Sequence, residues 1–324
     1  MNTVLIIAKK EYTDMTRNGL FLVLSGFLLL LIGISIMIAS LDFSAQVAQY
    51  TAALAQLTQT ERLGAVFSAP QYYPLQMLRG AIEYLEIIGA VIAIVLGYLA
   101  ISKEKGTNTS RLLLTRPVSQ GAFVGGKVLG GSAILLSLLG IIFIFIVGAI
   151  TGIGHVFFSG AELTKLSVTF LFTYLYLMFF FCFSMALTLF SKDLPRALLL
   201  SFTLWLVFVL IIPQVGDTMD PDNQVPGGFF SSMHVTQDQQ AQIIGKFKRY
   251  ENLRNALEVS SIEKHYERLS FAVLGIKTTY NDKDLGFILQ DKWIDLSLLA
   301  LFYLMGIGLA YALATNTRLM ASSP

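Results

Sequence analysis

Two carboxylate side chains, Glu83 and Glu86, lie at the start of a long apolar stretch of the chain. Residues three apart share one face of a helix, and an ionisable group inside a membrane span is a candidate functional residue. The pair is therefore a candidate pathway site for a proton or a cation. Because both residues lie at the outer end of the stretch, close to water, we favour interfacial or interhelical hydrogen bonding over contact with a substrate.

The histidines and the single cysteine do not indicate a reactive centre. No two of His155, His234 and His265 lie at the spacing of metal ligands on a helix, so we interpret them as surface residues and predict no metal site. Cys182 lies within an apolar run and is interpreted as a packing residue. Because no Ser-His or Asp-Asp pair stands out within the apolar runs, we predict no catalytic residue. No basic patch with interleaved aromatics indicates nucleic-acid binding.

One glycine motif imitates a phosphate-binding loop. Gly121, Gly126 and Lys127 reproduce the G-x-x-x-x-G-K spacing. The next residue, Val128, lacks the hydroxyl that would hold magnesium, and no soluble strand precedes the motif. We therefore predict no nucleotide and no other cofactor in this chain.

The composition is that of a membrane protein. Hydrophobic residues make up 55% of the 324 residues and charged residues 14%, whereas a soluble domain has about 25% charged residues. The mean hydropathy is +0.66. The apolar runs predict an all-α polytopic membrane protein with six transmembrane helices. These spans are predicted at 20–41, 82–101, 128–150, 166–190, 197–215 and 293–313.

Lys and Arg predominate in the N-terminal segment, in the segment after the second span and in the turn after the fourth. The positive-inside rule therefore places these segments and both termini in the cytoplasm. We divide the chain into an N-terminal helix (1–19), five spans (20–215), an extracytoplasmic helical insert (216–292) and a last span with its tail (293–324).

The N-terminal segment has the pattern of an amphipathic helix. Leu5, Ala8, Tyr12 and Met15 follow one helical stripe. Because a span follows directly, we expect this helix to lie in the inner membrane interface.

The segment 102–127, between the second and third spans, is basic. It carries Lys103, Lys105, Arg111, Arg116 and Lys127 against the single acid Glu104. Residues 108–115 predict a short helix, which Pro117 ends because proline cannot continue the hydrogen-bond ladder. The leucines of this helix need a covering surface in the cytosol.

The same segment resembles that of a known family, the ABC-2 type permeases of ABC transporters. The residues that carry the resemblance are Glu104, Lys105, Gly106, Thr107, Leu112, Leu113, Pro117, Val118, Ser119, Gly126 and Lys127. The resemblance implies that this loop holds a cytosolic coupling helix, which docks on a separate ATP-binding cassette ATPase. The ATPase contacts that it implies are Glu104, Gly106, Thr107, Arg111, Leu112, Leu113, Arg116 and Pro117.

The family's properties extend these expectations. ATP and Mg²⁺ would bind the ATPase partner, so this chain is not expected to be an enzyme. Two permease copies, or one copy with a similar permease, would form the path for a substrate. The resemblance implies export across the plasma membrane of a prokaryote.

Two alternative functions stay open. An ion-coupled secondary transporter or channel would use Glu83 and Glu86, although the inverted repeats and broken spans typical of that class are not evident. A mechanotransmitting membrane anchor would serve an extracytoplasmic partner and would tolerate loss of the coupling loop.

Overall fold

The computed structural model describes residues 3–59, 73–106, 119–154, 157–219, 229–233, 236–281 and 283–314. Every regular element in these ranges is helical. The predicted coupling helix, 108–115, lies outside the described residues, and so do His155 and His234. The coupling helix therefore stays a prediction.

Six helices are long and apolar enough to cross a membrane. They are span 1 (Gly19–Ala52), span 2 (Pro74–Lys105), span 3 (Gln120–Gly152), span 4 (Gly160–Phe190), span 5 (Leu194–Met219) and span 6 (Trp293–Leu313). About 20 apolar residues suffice to cross the hydrocarbon layer, which is why hydropathy alone finds all six. The predicted six-span all-α fold is confirmed.

Successive spans run in opposite directions, which gives the bundle two distinct ends. At the loop end, next to segment 102–127, the Lys127 ammonium donates to the Ala100 carbonyl of span 2. At the insert end, next to segment 216–292, the Gln76 amide donates to the Gly275 carbonyl at 2.6 Å. The N-terminal helix and segment 102–127, which are both predicted to be cytoplasmic, therefore lie at the same end of the bundle.

Span 1 belongs to a helix that is much longer than a membrane is thick. The helix Gly19–Gln59 has 41 residues and is about 60 Å long, whereas the hydrocarbon layer is about 30 Å thick. It therefore continues past the predicted span boundary at residue 41 and projects from the insert end.

Spans 2 and 4 form the centre of the bundle. In the most apolar stretch of span 2, 72% of the residues are buried, and in that of span 4, 67% are buried. The corresponding share in spans 5 and 6 is 17%. Gly97 allows their close approach, because a side chain there would collide with the Phe181 carbonyl. The two spans are thus held at backbone contact.

The N-terminal helix, Thr3–Thr16, packs against the start of span 3. A Cβ atom at Gly126 would lie 2.6 Å from the Ile7 side chain, and one at Gly130 would lie 2.6 Å from Glu11 Cβ. The absence of a side chain at these two glycines therefore lets the N-terminal helix approach span 3 closely.

The predicted apolar stripe of this helix is not its buried face. Met15 is buried with 2% exposure, but Leu5 and Tyr12 are 56% and 36% exposed. Glu11 takes their place in the interior. The helix is rotated in this way because Glu11 has an ionic partner inside the bundle. Leu5 is exposed, and the Tyr12 hydroxyl forms a hydrogen bond with the Ser137 hydroxyl of span 3.

The insert is a series of short helices. They are Phe229–Ser232, Gln237–Lys246, Lys248–Ser260, Ile262–Val273 and Leu285–Asp291. Helix Ile262–Val273 contacts spans 2, 4, 5 and 6 and is mostly buried. We call the helices Lys248–Ser260 and Ile262–Val273, which meet at Ser261, the docked pair.

The docked pair enters the bundle deeply. The Ser261 hydroxyl donates to the Phe208 carbonyl at 2.6 Å, about 17 Å along span 5 from Met219. Span 5 is π-helical here, at Leu206–Ile211. Span 2 is π-helical at Leu85–Gly89, which also faces the pair. Such turns interrupt the regular helical bonding and recur at functional positions.

Candidate functional site

Lys127 is the centre of an ionic cluster at the loop end. Its side chain is 0% exposed, and its ammonium lies 2.8 Å from Glu11 Oε1 and 3.2 Å from Glu104 Oε1. It also lies 4.9 Å from the centroid of the Phe123 ring. A charge buried among apolar helices requires partners of this kind, because desolvation alone would make it very unfavourable.

Lys10 completes the cluster. Its ammonium lies 3.3 Å from Glu104 Oε1. Partial burial alone would lower the pKa of Lys10, but the Glu104 carboxylate and its hydrogen bond raise that pKa above its usual value. The cluster therefore consists of two lysines, Lys10 and Lys127, and two glutamates, Glu11 and Glu104, and it carries no net charge. It joins the N-terminal helix, the end of span 2 and the start of span 3.

Lys105 makes a second connection from the same turn of span 2. Its ammonium donates to the carbonyls of Thr188, Leu189 and Ser191 at 2.8, 3.0 and 3.0 Å. The last carbonyls of a helix have no partner within the helix, and a cation there also opposes the negative end of the helix dipole. Lys105 thus caps span 4 and attaches it to the base of the loop.

The geometry revises one predicted ATPase contact. Glu104 is buried and its carboxylate faces Lys127 and Lys10, so it is not available to a partner that docks on the surface. Gly106 is the last residue of helix Ala90–Gly106. The other predicted contacts, Thr107, Arg111, Leu112, Leu113, Arg116 and Pro117, lie outside the described residues.

The structure also separates the two carboxylates of span 2. Glu83 is half exposed and pairs with Arg79 at 3.0 Å. Glu86 is buried and its side chain bonds to Glu263 of the docked pair. Glu83 and Glu86 therefore have different partners, because Glu86 lies in a π-helical turn and faces another helix. The favoured interhelical hydrogen bond of Glu86 is present.

The π turn of span 2 has a further contact with the centre of the bundle. The Tyr176 hydroxyl donates to the Glu86 carbonyl at 3.0 Å, and the Tyr176 ring stacks on Tyr266 with centroids 4.6 Å apart. Span 4 therefore supports both span 2 and the docked pair.

The interpretation of His265 as a surface residue is wrong. Its ring is buried, with Nδ1 2.7 Å from Asp295 Oδ1 and Nε2 3.0 Å from the Val259 carbonyl. Asp295 begins span 6, so this contact attaches the docked pair to the last span. Within the described part of the chain, no group of three or more His, Cys, Asp or Glu residues could hold a metal ion.

Sequence reasoning assigned no functional role to Glu263 and Lys264, although both are buried. Lys264 pairs with Asp217 at 3.1 Å and with Glu267 at 2.8 Å. The apolar stripe of Ile262, Tyr266 and Leu269, all buried, was the sequence signal that this helix has a covered face.

Comparison with known proteins agrees with the layout described above. No curated protein matches the chain. The family model described as "ABC-2 family transporter protein" matches residues 5–319, which includes all six spans and the docked pair. The chain therefore belongs to the ABC-2 transporter family and is the multi-pass permease component of an ABC transporter.

Proposed function

We propose that this permease exports a substrate across the plasma membrane of a prokaryote, driven by a separate ATP-binding cassette ATPase. The ATPase docks at the loop end, on segment 102–127 and beside the N-terminal helix. ATP and Mg²⁺ bind that partner, and both termini of the permease lie in the cytoplasm.

The observation that carries this proposal is that two adjacent residues at the start of the loop, Glu104 and Lys105, attach it to neighbouring helices. We call this arrangement the anchorage. Glu104 joins the end of span 2 to Lys127 of span 3 and to the N-terminal helix. Lys105 joins the same turn to the end of span 4. A loop used only to connect two spans needs no such attachment to three neighbouring elements.

The anchorage suggests how movement passes into the membrane. Closure of two ATPases on nucleotide would displace the loop, and packed helices transmit such displacements as rigid bodies. Because Glu104, Lys105 and Lys127 are held by short polar contacts, spans 2, 3 and 4 and the N-terminal helix would move together. Spans 5 and 6 would then change their position relative to this body.

A second permease copy, or a similar permease, completes the path. Within one chain, only 28% of the residues in the most apolar stretch of span 1 are buried. In the corresponding stretches of spans 5 and 6 the share is 17%. Small six-span units enclose little space, so we infer that two copies form the path between them, with the remaining apolar surface facing lipid.

The first test is co-purification. A tagged full-length permease should retain its ATPase subunit, and Leu113→Asp should abolish this retention because it places a charge on the proposed docking helix. Leu253→Asp is the matched control, since Leu253 is an exposed leucine at the insert end. Isolation of an active permease without any ATPase, or equal retention by both variants, would overturn the proposal.

The second test concerns the anchorage itself. In the permease–ATPase complex, Lys105→Met should leave ATP hydrolysis measurable but lower transport per ATP at least about tenfold, because span 4 is no longer attached to the loop. Lys192→Met changes an exposed lysine at the same end of the bundle and should leave coupling unchanged. A Lys105→Met complex with normal coupling would contradict this role.

The bond between Glu86 and Glu263 favours one alternative, ion-coupled transport, since a buried carboxyl pair can hold a proton. Vesicles that contain the permease alone distinguish the two functions. We expect no proton flux from them; a flux that Glu86→Gln abolishes would replace ATP-driven export by ion-coupled transport.

A further inference from the structure

A cavity of about 730 Å³ lies at the insert end. Its walls come from the docked pair, the outer turns of span 5 and the start of span 2. Sites for small ligands have volumes of about 300–1,000 Å³, so this cavity is large enough for a ligand of that class. It is separate from the ionic cluster at the loop end.

The walls carry more positive than negative side chains. The basic residues are Arg79, Arg254, Lys264, Arg268 and Lys277, and the acidic residues are Asp217, Glu258 and Glu267. Among the described wall residues, five cations face three carboxylates, and Glu83 beside the wall pairs with Arg79, so one positive charge is left in excess.

The three carboxylates are already engaged within the walls. Asp217 and Glu267 both pair with Lys264, at 3.1 and 2.8 Å. Glu258 pairs with Arg268, and it lies 3.6 Å from the Nε atom of Arg254. These three acids therefore fix the deeper basic side chains in place and form their ion pairs with Lys264, Arg268 and Arg254.

Arg79 and Lys277 are the wall cations that these three acids do not contact, and Arg79 pairs instead with Glu83 outside the wall. Arg79 uses its Nε atom for Glu83, and its guanidinium carbon lies 5.7 Å from the Phe271 ring centroid. Lys277 is exposed, and no carboxylate in the described part of the chain pairs with its ammonium. The ion pair of Arg79 with Glu83 uses Nε, and the planar fork of an arginine is well suited to bind an anion through its terminal nitrogens.

The cavity also has an apolar side. Phe271 and Ile276 line it beside the two basic residues. An anion with attached carbon atoms would use both surfaces, whereas a small inorganic ion would fill only a fraction of the volume.

We propose that this cavity binds a phosphoester, with Arg79 and Lys277 holding the phosphate and Phe271 and Ile276 contacting the carbon part. The phosphate carries the charge that the walls lack, and its oxygens match the arginine fork. A membrane phospholipid headgroup and a free phosphomonoester share this chemistry. This proposal does not rest on the proposed coupling to an ATPase.

The test is calorimetric binding to the purified full-length permease in detergent, without an ATPase. The free-ligand probe is sn-glycerol 3-phosphate, and the lipid probe is short-chain phosphatidylglycerol. We expect at least one of them to bind, and Arg79→Gln with Lys277→Gln to weaken that binding about tenfold or more, since each lost charged hydrogen bond contributes substantially. The probe that binds identifies the source.

A matched control is available at the other end of the bundle. Arg196 pairs with Asp193 at 2.8 Å much as Arg79 pairs with Glu83, and Lys192 is exposed like Lys277. Arg196→Gln with Lys192→Gln should leave binding unchanged. Binding of neither probe, or equal binding by the parent chain and the Arg79/Lys277 double variant, would overturn the proposal. Either result would leave the coupling proposal intact, because no ATPase takes part.

Discussion

Lys127 is a charge whose burial depends on two distant carboxylates. Glu11, 116 residues away in the chain, lies 2.8 Å from its ammonium, and Glu104 lies 3.2 Å away. Replacing one member of a buried ionic group leaves the others unpaired, and this is costlier than replacing the whole group by apolar residues. The cluster therefore behaves as a unit.

We predict that Lys127→Met destabilises the permease by about 3–5 kcal/mol, seen as a lower midpoint of thermal unfolding in detergent. The triple variant Glu11→Gln, Glu104→Gln, Lys127→Met should recover much of this loss, because no unpaired charge stays buried. Lys103→Met, at an exposed lysine of the same region, is the control. A single variant as stable as the parent chain would show that Lys127 is not held as described.

At this scale the sequence indicates which residues matter but not what they touch. The family pattern includes Glu104 and Lys127 at the two ends of the loop, and it suggested that Glu104 contacts a partner protein. The ion pair with Lys127 and the part played by Glu11 depend on how three helices pack, which residue spacing along one helix does not contain.

Among the elements, the docked pair was predicted only as part of a helical insert, without its burial in the bundle. The apolar stripe of Ile262, Tyr266 and Leu269 indicates a helix with one covered face. The same helix carries four charged residues, Glu263, Lys264, Glu267 and Arg268. Each of these charges has a partner in the folded chain: Glu263 bonds to Glu86, Lys264 to Asp217 and Glu267, and Arg268 to Glu258. Burial of polar groups is tolerated when they are paired, so hydropathy underestimated the depth of this helix.

The contact between Glu86 and Glu263 predicts pH-dependent docking. Two carboxyl groups form a hydrogen bond only when one of them carries a proton, and two adjacent carboxylates repel. The other charged groups near the pair are Lys264, Glu267 and Asp217. Of these, Lys264 reduces the repulsion and the two acids increase it, so loss of the proton should still weaken docking.

The measurement is the thiol reactivity of a cysteine at Leu269, which is fully buried, in a Cys182→Ser background. Raising the pH from about 5 to about 9 should increase its reactivity relative to a cysteine at exposed Leu253, which corrects for the chemistry of the thiol. Glu263→Gln should reduce the pH effect, because a glutamine amide donates to Glu86 without a titrating proton. A pH effect of the same size in that variant would show that the carboxyl pair does not control docking.

For the whole molecule, hydropathy was sufficient to find the six spans and insufficient to show which faces are covered. Spans 2 and 4 are the most buried, and spans 5 and 6 leave most of their apolar stretches open. Lipid and a protein partner are equally apolar, so composition does not distinguish a lipid-facing leucine from one at a subunit interface.

We therefore predict that the permease is a dimer whose interface includes an open face of span 5 or span 6. In mild detergent its mass should be close to twice the 35.7 kDa of one chain. In a Cys182→Ser background, oxidation should cross-link single cysteines placed at Leu206 of span 5 or Leu304 of span 6, both exposed. A cysteine at Leu177, buried in span 4, should not cross-link, because a second chain cannot reach it. A monomeric mass together with no cross-link at either exposed position would rule out a homodimer through these faces and would require a different permease as the second subunit.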